Sequence, residues 1–311
     1  CDRVYISHQA GTPAISSAVQ FMSLATFRDS VEFLVSHETP TLDQTQPPFD
    51  IVKNSSYLGS LRLQEAKALL KRYDYSGILD ILGLSQASTL TLAEKELKLL
   101  LEAGELWNFA AFHKFKNKLK NSRSIDVKQF PWWQLGYESA YLGMVRLYQE
   151  NTVDCIFHSF RAIEGLLSAW IQKFHQDRLI DRGKKIQLPQ EISVPWPPKR
   201  ADQVNSHGQG LYYAFLELSS LTGDDIPIDF HTFGQKIFPK RNEMFHSLSG
   251  AEGSEAVFQF WEVQNQEPEF LALRLLRCLN LIGKQSFGRL EEVSFMAKVH
   301  SQVEQRLILG L

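Results

Sequence analysis

The chain has 311 residues, of which 44% are apolar and 22% charged, and its formal net charge is −2. Its length favours two domains, and its composition is that of an ordinary soluble globular protein, without the overall positive charge that would point to nucleic acid. The three cysteines form no CxxC pair, and the longest apolar run is far shorter than a membrane span. We therefore expect no disulfide framework, no zinc site, no membrane contact and a cytoplasmic location.

The start of the chain predicts one βαβ unit. Residues 3–7 are short, β-branched and aromatic, which is typical of a buried strand. Gly11 and Pro13 end that strand, and Thr12 is suited to cap a helix whose apolar residues recur at helical spacing. Residues 31–36 predict a second strand. Because a two-stranded sheet cannot stand alone, we expect further strands upstream.

Helices dominate the chain from about residue 55 onward. Residues 38–50 are polar and proline-rich and are interpreted as a connection. Thr91, with Glu94 three residues later, predicts a capping box. Residues 177–206 hold four prolines and are interpreted as irregular, either a mobile flap over a substrate groove or an inert insertion. Further helices, the first two an antiparallel pair, are predicted at residues 134–150, 152–176, 208–221, 237–249, 253–264, 268–286 and 289–308.

The segment KRNEMFHSLSG, residues 240–250, combines an arginine, an asparagine and a histidine within six positions. Pro239 favours a helix that begins here. Arg241 and Asn242 are then expected in its first turn, where free amides and the helix dipole could hold a phosphate. Asn242 and His246 share a face, but Arg241 lies roughly 140° from His246 around the axis. Two copies of the helix across a two-fold axis could close a pocket that one cannot.

These residue types suit RNA cleavage without a metal, in which the ribose 2′-hydroxyl attacks the adjacent phosphorus. A histidine with a near-neutral pKa can move protons, and a guanidinium can stabilise the extra negative charge. An exposed arginine and a packed histidine on an ordinary helix are the alternative, which a short motif leaves open.

Three other features also have two interpretations. Arg161 and Glu164 are either a surface ion pair worth roughly a few tenths of a kcal/mol or a pair in which Glu164 orients Arg241. The glycine loop at residues 7–16 either cradles a phosphate or nucleotide or is a plain turn. Residues 112–128, with six lysines or arginines against one aspartate, form a solvated helix end or contact an RNA backbone.

Together these segments resemble the CARF–HEPN ancillary ribonucleases of type III CRISPR systems. RNEMFH, residues 241–246, is similar to the Arg-x4-His signature of HEPN ribonuclease domains, and FRAIE, 160–164, to a segment of an earlier HEPN helix. SHQAGTPAI, 7–15, is similar to the glycine-threonine loop of CARF domains. LLKRYDYSGILDIL, 69–82, resembles the helical linker between the two domains.

The resemblance implies a mostly α fold with an α/β part. Residues 1–50 would be the C-terminal part of a Rossmann-like, nucleotide-sensing CARF domain whose N-terminal strands are missing. Residues 51–125 would be the helical linker, and residues 126–311 an all-α HEPN domain.

The implied activity is metal-independent endoribonuclease cleavage of single-stranded RNA by a homodimer in antiviral defence. A cyclic oligoadenylate is implied as the allosteric activator, and catalysis needs no cofactor. The implied residues are the catalytic Arg241, Asn242 and His246, the supporting Arg161 and Glu164, and the activator-binding Gln9, Ala10, Gly11 and Thr12. The alternatives are a non-catalytic HEPN protein that binds RNA or a partner, and a nucleotide-sensing regulator that uses its helices for dimerisation.

Overall fold

Helices form most of the part of the chain that the computed structural model describes. That part comprises residues 3–7, 12–27, 30–36, 49–53, 55–87, 89–127, 130–195, 198–246 and 252–309. Within it, no helix has the length and apolar character needed to cross a membrane.

A small α/β part precedes the helices. Its elements, in chain order, are β1 (Val4–Ser7), α1 (Pro13–Phe27), β2 (Val31–Ser36) and β3 (Phe49–Lys53). β1 and β2 pair in parallel, so the predicted βαβ unit is confirmed. β3 pairs antiparallel to β2. It was not predicted, because the prolines immediately before it dominate the local pattern.

Helices dominate from residue 55 onward. The residues assigned to the linker contain α2 (Ser55–Lys71), α3 (Tyr75–Ile81), α4 (Leu92–Asn108) and α5 (Phe112–Leu119). The following body contains α6 (Gln134–Tyr148), α7 (Thr152–Phe174), β4 (Leu179–Ile180), β5 (Lys185–Pro195), β6 (Pro198–Asn205), α8 (Gln209–Leu218), α9 (Ile228–Thr232), α10 (Phe238–His246), α11 (Gly253–Phe260), α12 (Pro268–Gly283), α13 (Leu290–Val293) and α14 (Phe295–Leu309). A π-helix, Phe233–Ile237, joins α9 to α10 and is called the π-segment below.

Capping residues define the helix starts that the sequence predicted. Thr91 and Glu94 exchange the two hydrogen bonds of the predicted capping box, which is therefore confirmed. Asn151 Oδ1 accepts a hydrogen bond from Asp154 N at 3.2 Å and caps α7. The antiparallel pair of α6 and α7 is confirmed as well. The two helices approach closely at Gly143, where a Cβ would lie 3.0 Å from the backbone of α7.

Residues 177–206 contain a three-stranded antiparallel sheet, β4–β5–β6, so the prediction of an irregular segment is wrong. The helical body is accordingly not all α. The prolines misled the interpretation because they stand where strands tolerate them. Pro189 lies in the irregularity where the β5–β6 register shifts, and Pro195 and Pro198 end and begin the two strands.

One apolar core runs through the linker helices and the body. Its buried residues extend from Ala66 on α2 to Leu307 on α14. α14 packs against α2 and α4. There, the Nδ1 atom of His300 lies 2.9 Å from the Tyr75 hydroxyl, and the His300 ring lies 4.5 Å from that of Tyr73. The last helix of the body therefore covers the helices of the linker.

A fully buried carboxylate, Glu138 on α6, joins α4, α6 and the α13–α14 junction. It accepts four hydrogen bonds, from Trp107 Nε1 (3.0 Å), Gln134 Nε2 (3.1 Å), Ser294 Oγ (2.9 Å) and Phe295 N (2.6 Å). Burial raises the pKa of Glu138, and the four donors act against that shift. A buried carboxylate is tolerated when its acceptor positions are satisfied in this way.

We expect Glu138→Ala to lower the free energy of unfolding by roughly 3–5 kcal/mol, because four buried donors lose their acceptor. Glu138→Gln keeps one acceptor oxygen but turns an NH₂ group toward a donor, so its loss should be smaller. Urea denaturation followed by circular dichroism measures both losses. Glu65→Gln removes an exposed charge on α2 and should change the free energy by less than about 0.5 kcal/mol. If Glu138→Ala matched that control, the carboxylate would not be required.

Candidate functional site

Arg241 and Asn242 lie on α10, which continues a longer helical stretch. α9 leads through the π-segment into α10 without a break. The helix does not begin at Pro239, so the prediction that Arg241 and Asn242 sit at a free helix N-terminus is wrong. Pro239 is tolerated because the wider π-turn directly before it changes the hydrogen-bond spacing where the proline has no N–H to donate.

Aromatic side chains from several helical elements hold the π-segment. They are all buried and are called the aromatic cluster: Phe160, Phe230, Phe233, Phe238 and Trp261. The Phe233 ring lies 4.7 Å from that of Phe238 and 5.4 Å from that of Phe160. The rings of Phe160 and Phe238 meet edge to face at 5.0 Å. Such pairs prefer defined geometries, so the cluster fixes α10 against α7.

The guanidinium of Arg241 is held over one ring of this cluster. Its central carbon lies 5.1 Å from the centroid of Phe160, a cation–π arrangement. The Nη1 atom of Arg241 also donates a hydrogen bond to Asn242 Oδ1 at 3.1 Å. Arg241 is half-buried, and Asn242 is exposed. Two of the three residues predicted to be catalytic, Arg241 and Asn242, are thus in contact. The Phe160 ring and the Asn242 side-chain amide hold the guanidinium of Arg241 in place.

The lysines near Arg241 are engaged in ion pairs. Lys240 Nζ donates to Gln259 O at 3.0 Å and to the carboxylate of Glu262. Lys236 Nζ lies 3.3 Å from Glu262 Oε2. The hydrogen bond from Lys240, helped by that from Lys236, lowers the pKa of Glu262 despite partial burial. Both lysines therefore attach this helical stretch to the end of α11, whereas Arg241 rests on an aromatic face.

Arg161 and Glu164, the predicted supporting residues, lie on α7 but do not pair with each other. Arg161 lies with its guanidinium carbon 5.8 Å from the Phe157 centroid. Glu164 Oε1 accepts a hydrogen bond from Gly208 N at 2.9 Å. Among the hydrogen bonds and ion pairs of the described residues, Glu164 contacts neither Arg161 nor Arg241. The described contacts of Glu164 and Arg161 are thus with a backbone amide and an aromatic ring, and the supporting role of both residues stays a prediction.

Several predicted site residues lie partly or wholly outside the described residues. His246 is the last residue of α10, but its side chain is outside them, as are Gln9, Ala10 and Gly11. Thr12 is described, and its Oγ1 accepts a hydrogen bond from Ile15 N at 3.4 Å. The predicted cap of α1 is thereby confirmed, while the activator-binding role of residues 9–12 and the catalytic role of His246 stay predictions.

A buried histidine on α7, His158, was not predicted from the sequence. Its ring meets that of Phe157 at a centroid distance of 5.2 Å, and within the described residues its Nδ1 atom has no hydrogen-bond partner. Burial lowers the pKa of His158 to about 4, with Asp154 opposing the shift and Arg146 and Arg161 adding to it. The ring is therefore neutral near pH 7. Its spacing of three residues from Cys155 and four from Ala162, which are both apolar and buried, was the available sequence signal.

No protein-family model matches this sequence, and no curated protein matches it. The fold, however, has known counterparts. A small α/β part followed by a mostly helical body is the mostly α fold with an α/β part that the resemblance implied, and this coarse fold class is confirmed. The fold is similar to that of Csm6 from Enterococcus italicus bound to cyclic hexa-2′-fluoro-hexa-dAMP, with a TM-score of 0.62 and 14% identity. The match covers 97% of this chain and 74% of that one.

The low pKa of His158 predicts a stability loss in acid. In the unfolded chain His158 has a pKa near 6.5, whereas in the folded protein its pKa is about 4. The unfolded state therefore binds more protons between these pH values, and the stability of the folded state decreases as the pH falls through this range. We expect this residue to contribute a loss of up to about 3 kcal/mol, which His158→Phe should remove. Urea denaturation at several pH values measures it, with the exposed His207→Gln as control. Parallel pH profiles of wild type and His158→Phe would contradict the prediction.

Proposed function

We propose that this chain belongs to a metal-independent endoribonuclease that cuts single-stranded RNA and is activated by a cyclic oligoadenylate. The observation that carries the proposal is the setting of Arg241, held over Phe160 and bound to Asn242 within the RNxxxH motif. The fold similarity to Csm6, whose structure holds a cyclic oligoadenylate analogue, supports the activation.

Arg241 is proposed to stabilise the negative charge that develops on the non-bridging phosphate oxygens in the transition state. The guanidinium carries a permanent charge and several donors in a planar fork, which suits phosphate oxygens. Contact with Phe160 and Asn242 restricts the side chain before substrate arrives. A donor that is already positioned needs no reorganisation when the transition state forms. Asn242 therefore assists by fixing the guanidinium.

His246 is proposed either to accept the proton of the attacking 2′-hydroxyl or to donate a proton to the 5′-oxygen that leaves as its bond to phosphorus breaks. Its place on α10, five residues after Arg241, puts the two Cα atoms roughly 140° apart around the axis. Two chains related by a two-fold axis would place an arginine from each beside a histidine from each. The proposed catalytic unit is thus a homodimer, and each chain supplies half of the groove.

Arg241→Ala should lower the rate of RNA cleavage by about 10²–10³-fold, as expected for loss of one donor to a developing charge. His246→Ala should lower it by about 10²–10⁴-fold, as expected for loss of a general acid or base. Cleavage of a fluorescent single-stranded RNA in EDTA, with an activating cyclic oligoadenylate present, measures both rates. The products should carry 2′,3′-cyclic phosphate ends.

Lys95→Ala is the control, because it removes a positive charge from the exposed surface of α4, away from α10. We expect its rate to stay within roughly three-fold of wild type. Equal activity of Arg241→Ala and wild type would overturn the catalytic assignment. Loss of wild-type activity in EDTA would indicate a metal nuclease, and RNA binding without cleavage by the wild type would favour a non-catalytic HEPN protein.

The activator is proposed to bind beside the start of α1, where the β1–α1 loop ends at Thr12. A helix N-terminus favours anions, and a cyclic oligoadenylate carries a phosphate for every nucleotide. Binding that favours one arrangement of the dimer would shift the population toward the active form.

Thr12→Asp tests this placement without removing the helix cap, since aspartate caps helices as well as threonine does. Its negative charge should repel the phosphates and raise the activator concentration for half-maximal cleavage at least roughly ten-fold, the effect of about 1.4 kcal/mol. Titration with cyclic oligoadenylates of different ring size measures the change. Thr12→Ser, which keeps the hydroxyl, is the control. An unchanged titration curve for Thr12→Asp would contradict the placement.

A further inference from the structure

We propose that Glu164 and Gln209 are positioning residues that set the rotation of α10 through the π-segment and so place Arg241. The proposal rests on the proposed function only in naming Arg241 as the group that must be placed. It assigns an indirect role to the glutamate of the FRAIE segment. Two hydrogen bonds in series, from α7 to the start of α8 and from α8 to the π-segment, make the connection.

The first hydrogen bond fixes the start of α8. Glu164 Oε1 accepts from Gly208 N at 2.9 Å, directly before the first residue of α8. A carboxylate at this end of a helix also interacts favourably with its dipole. The turn is tight, because a Cβ on Gly210 would lie 2.2 Å from Asn205 O. Gly208 adopts a φ of 61°, which favours glycine. The start of α8 therefore has little freedom to shift along α7.

The second hydrogen bond replaces one that a proline has removed. In a π-helix each carbonyl accepts from the amide five residues later, and for Gly234 that residue is Pro239, which has no N–H. The amide of Phe238, four residues later, already donates to Phe233 O. Gln209 Nε2 instead donates to Gly234 O at 2.8 Å. A buried carbonyl left without a donor is costly, so Gln209 stabilises the π-segment as such.

Close packing holds the same point from another side. The ring of Tyr212, one turn along α8 from Gln209, lies against Gly234, where a Cβ would be 2.3 Å from ring atoms. α8 therefore contacts the π-segment through both a hydrogen bond and a ring. On the other side, Phe233 and Phe238 both contact Phe160 of α7. One helix, α7, thus reaches the π-segment directly through Phe160 and indirectly through Glu164.

The rotation of α10 decides where Arg241 points. Conversion of the π-segment to a regular α-helix would shift the hydrogen-bond register by one residue, and each residue corresponds to about 100° of rotation. Arg241 would then leave the face of Phe160. Even a displacement of about 1 Å at a reacting group can cost roughly 10²-fold in rate. The bonds of Glu164 and Gln209 oppose that conversion.

The test compares Glu164→Ala, Gln209→Leu and the double variant with wild type. Each single variant should lower kcat for RNA cleavage about ten- to a hundred-fold with KM changed by less than roughly three-fold, because binding groups remain while placement is lost. The double variant should be no slower than the slower single variant, since both residues act through one connection. Glu164→Gln keeps the acceptor oxygen and should restore most of the rate. Independent effects that multiply in the double variant would overturn the proposal.

Hydrogen–deuterium exchange provides a readout that does not depend on catalysis. Exchange of amides in residues 233–246 should become at least roughly ten-fold faster in Glu164→Ala and Gln209→Leu, while α4 and α6 remain protected. If Gln209→Leu fails to fold, Gln209→Asn, which keeps the amide on a shorter side chain, replaces it. Unchanged exchange in both single variants overturns the proposal. If wild type cuts no RNA, the proposed function fails, and faster exchange in residues 233–246 would still support the positioning role.

Discussion

The burial of one carboxylate, that of Glu138, constrains the whole helical part of the chain. A charge with no solvent contact must find its partners within the protein, and its four donors come from α4, α6 and the α13–α14 junction. These segments are far apart in sequence, so the network forms only when linker and body have come together. The apolar core around it provides most of the burial, but hydrogen bonds with defined directions select one arrangement of these helices over others that would bury similar area.

The three basic side chains of the π-segment and α10 have different partners. Lys236 and Lys240 attach their helical stretch to Glu262, and Arg241 lies over Phe160 beside Asn242. A compact ammonium suits a point contact with a carboxylate, whereas a planar guanidinium suits a ring face and a phosphate. The three basic residues carry the same charge, so charge alone does not explain their different contacts. The shapes of the ammonium and guanidinium groups do.

Features set by neighbouring residues were predictable from the sequence. The capping box of Thr91 and Glu94, the cap at Thr12 and the parallel βαβ pairing all follow from local signals. The second sheet was missed because its prolines occupy a bulge and strand ends, positions that depend on the partner strand. The π-segment was missed because the spacing of apolar residues does not show whether a backbone hydrogen bond spans five residues, as in a π-helix, or four, as in an α-helix.

The candidate site divides in the same way. The pattern of Arg241 and Asn242 marked the segment, and the structure brings both residues together on α10. The partner of Glu164 was not predictable, because Gly208 lies 44 residues away, beyond the β5–β6 hairpin. Sequence spacing identifies which residues share a helix face, but it does not identify which distant backbone amide a carboxylate will meet.

The position of α14 has a consequence for anyone who wishes to divide or recombine this protein. The helix follows the body in sequence, yet it packs on α2 and α4, and His300 meets Tyr75 and Tyr73 there. A cut between residues 125 and 126 would leave the apolar faces of α2, α4 and α14 open to water on separate fragments. Exposed faces of that kind promote aggregation. A chimera with another protein should therefore take the segment from α2 through α14 from one parent and place the junction before α2.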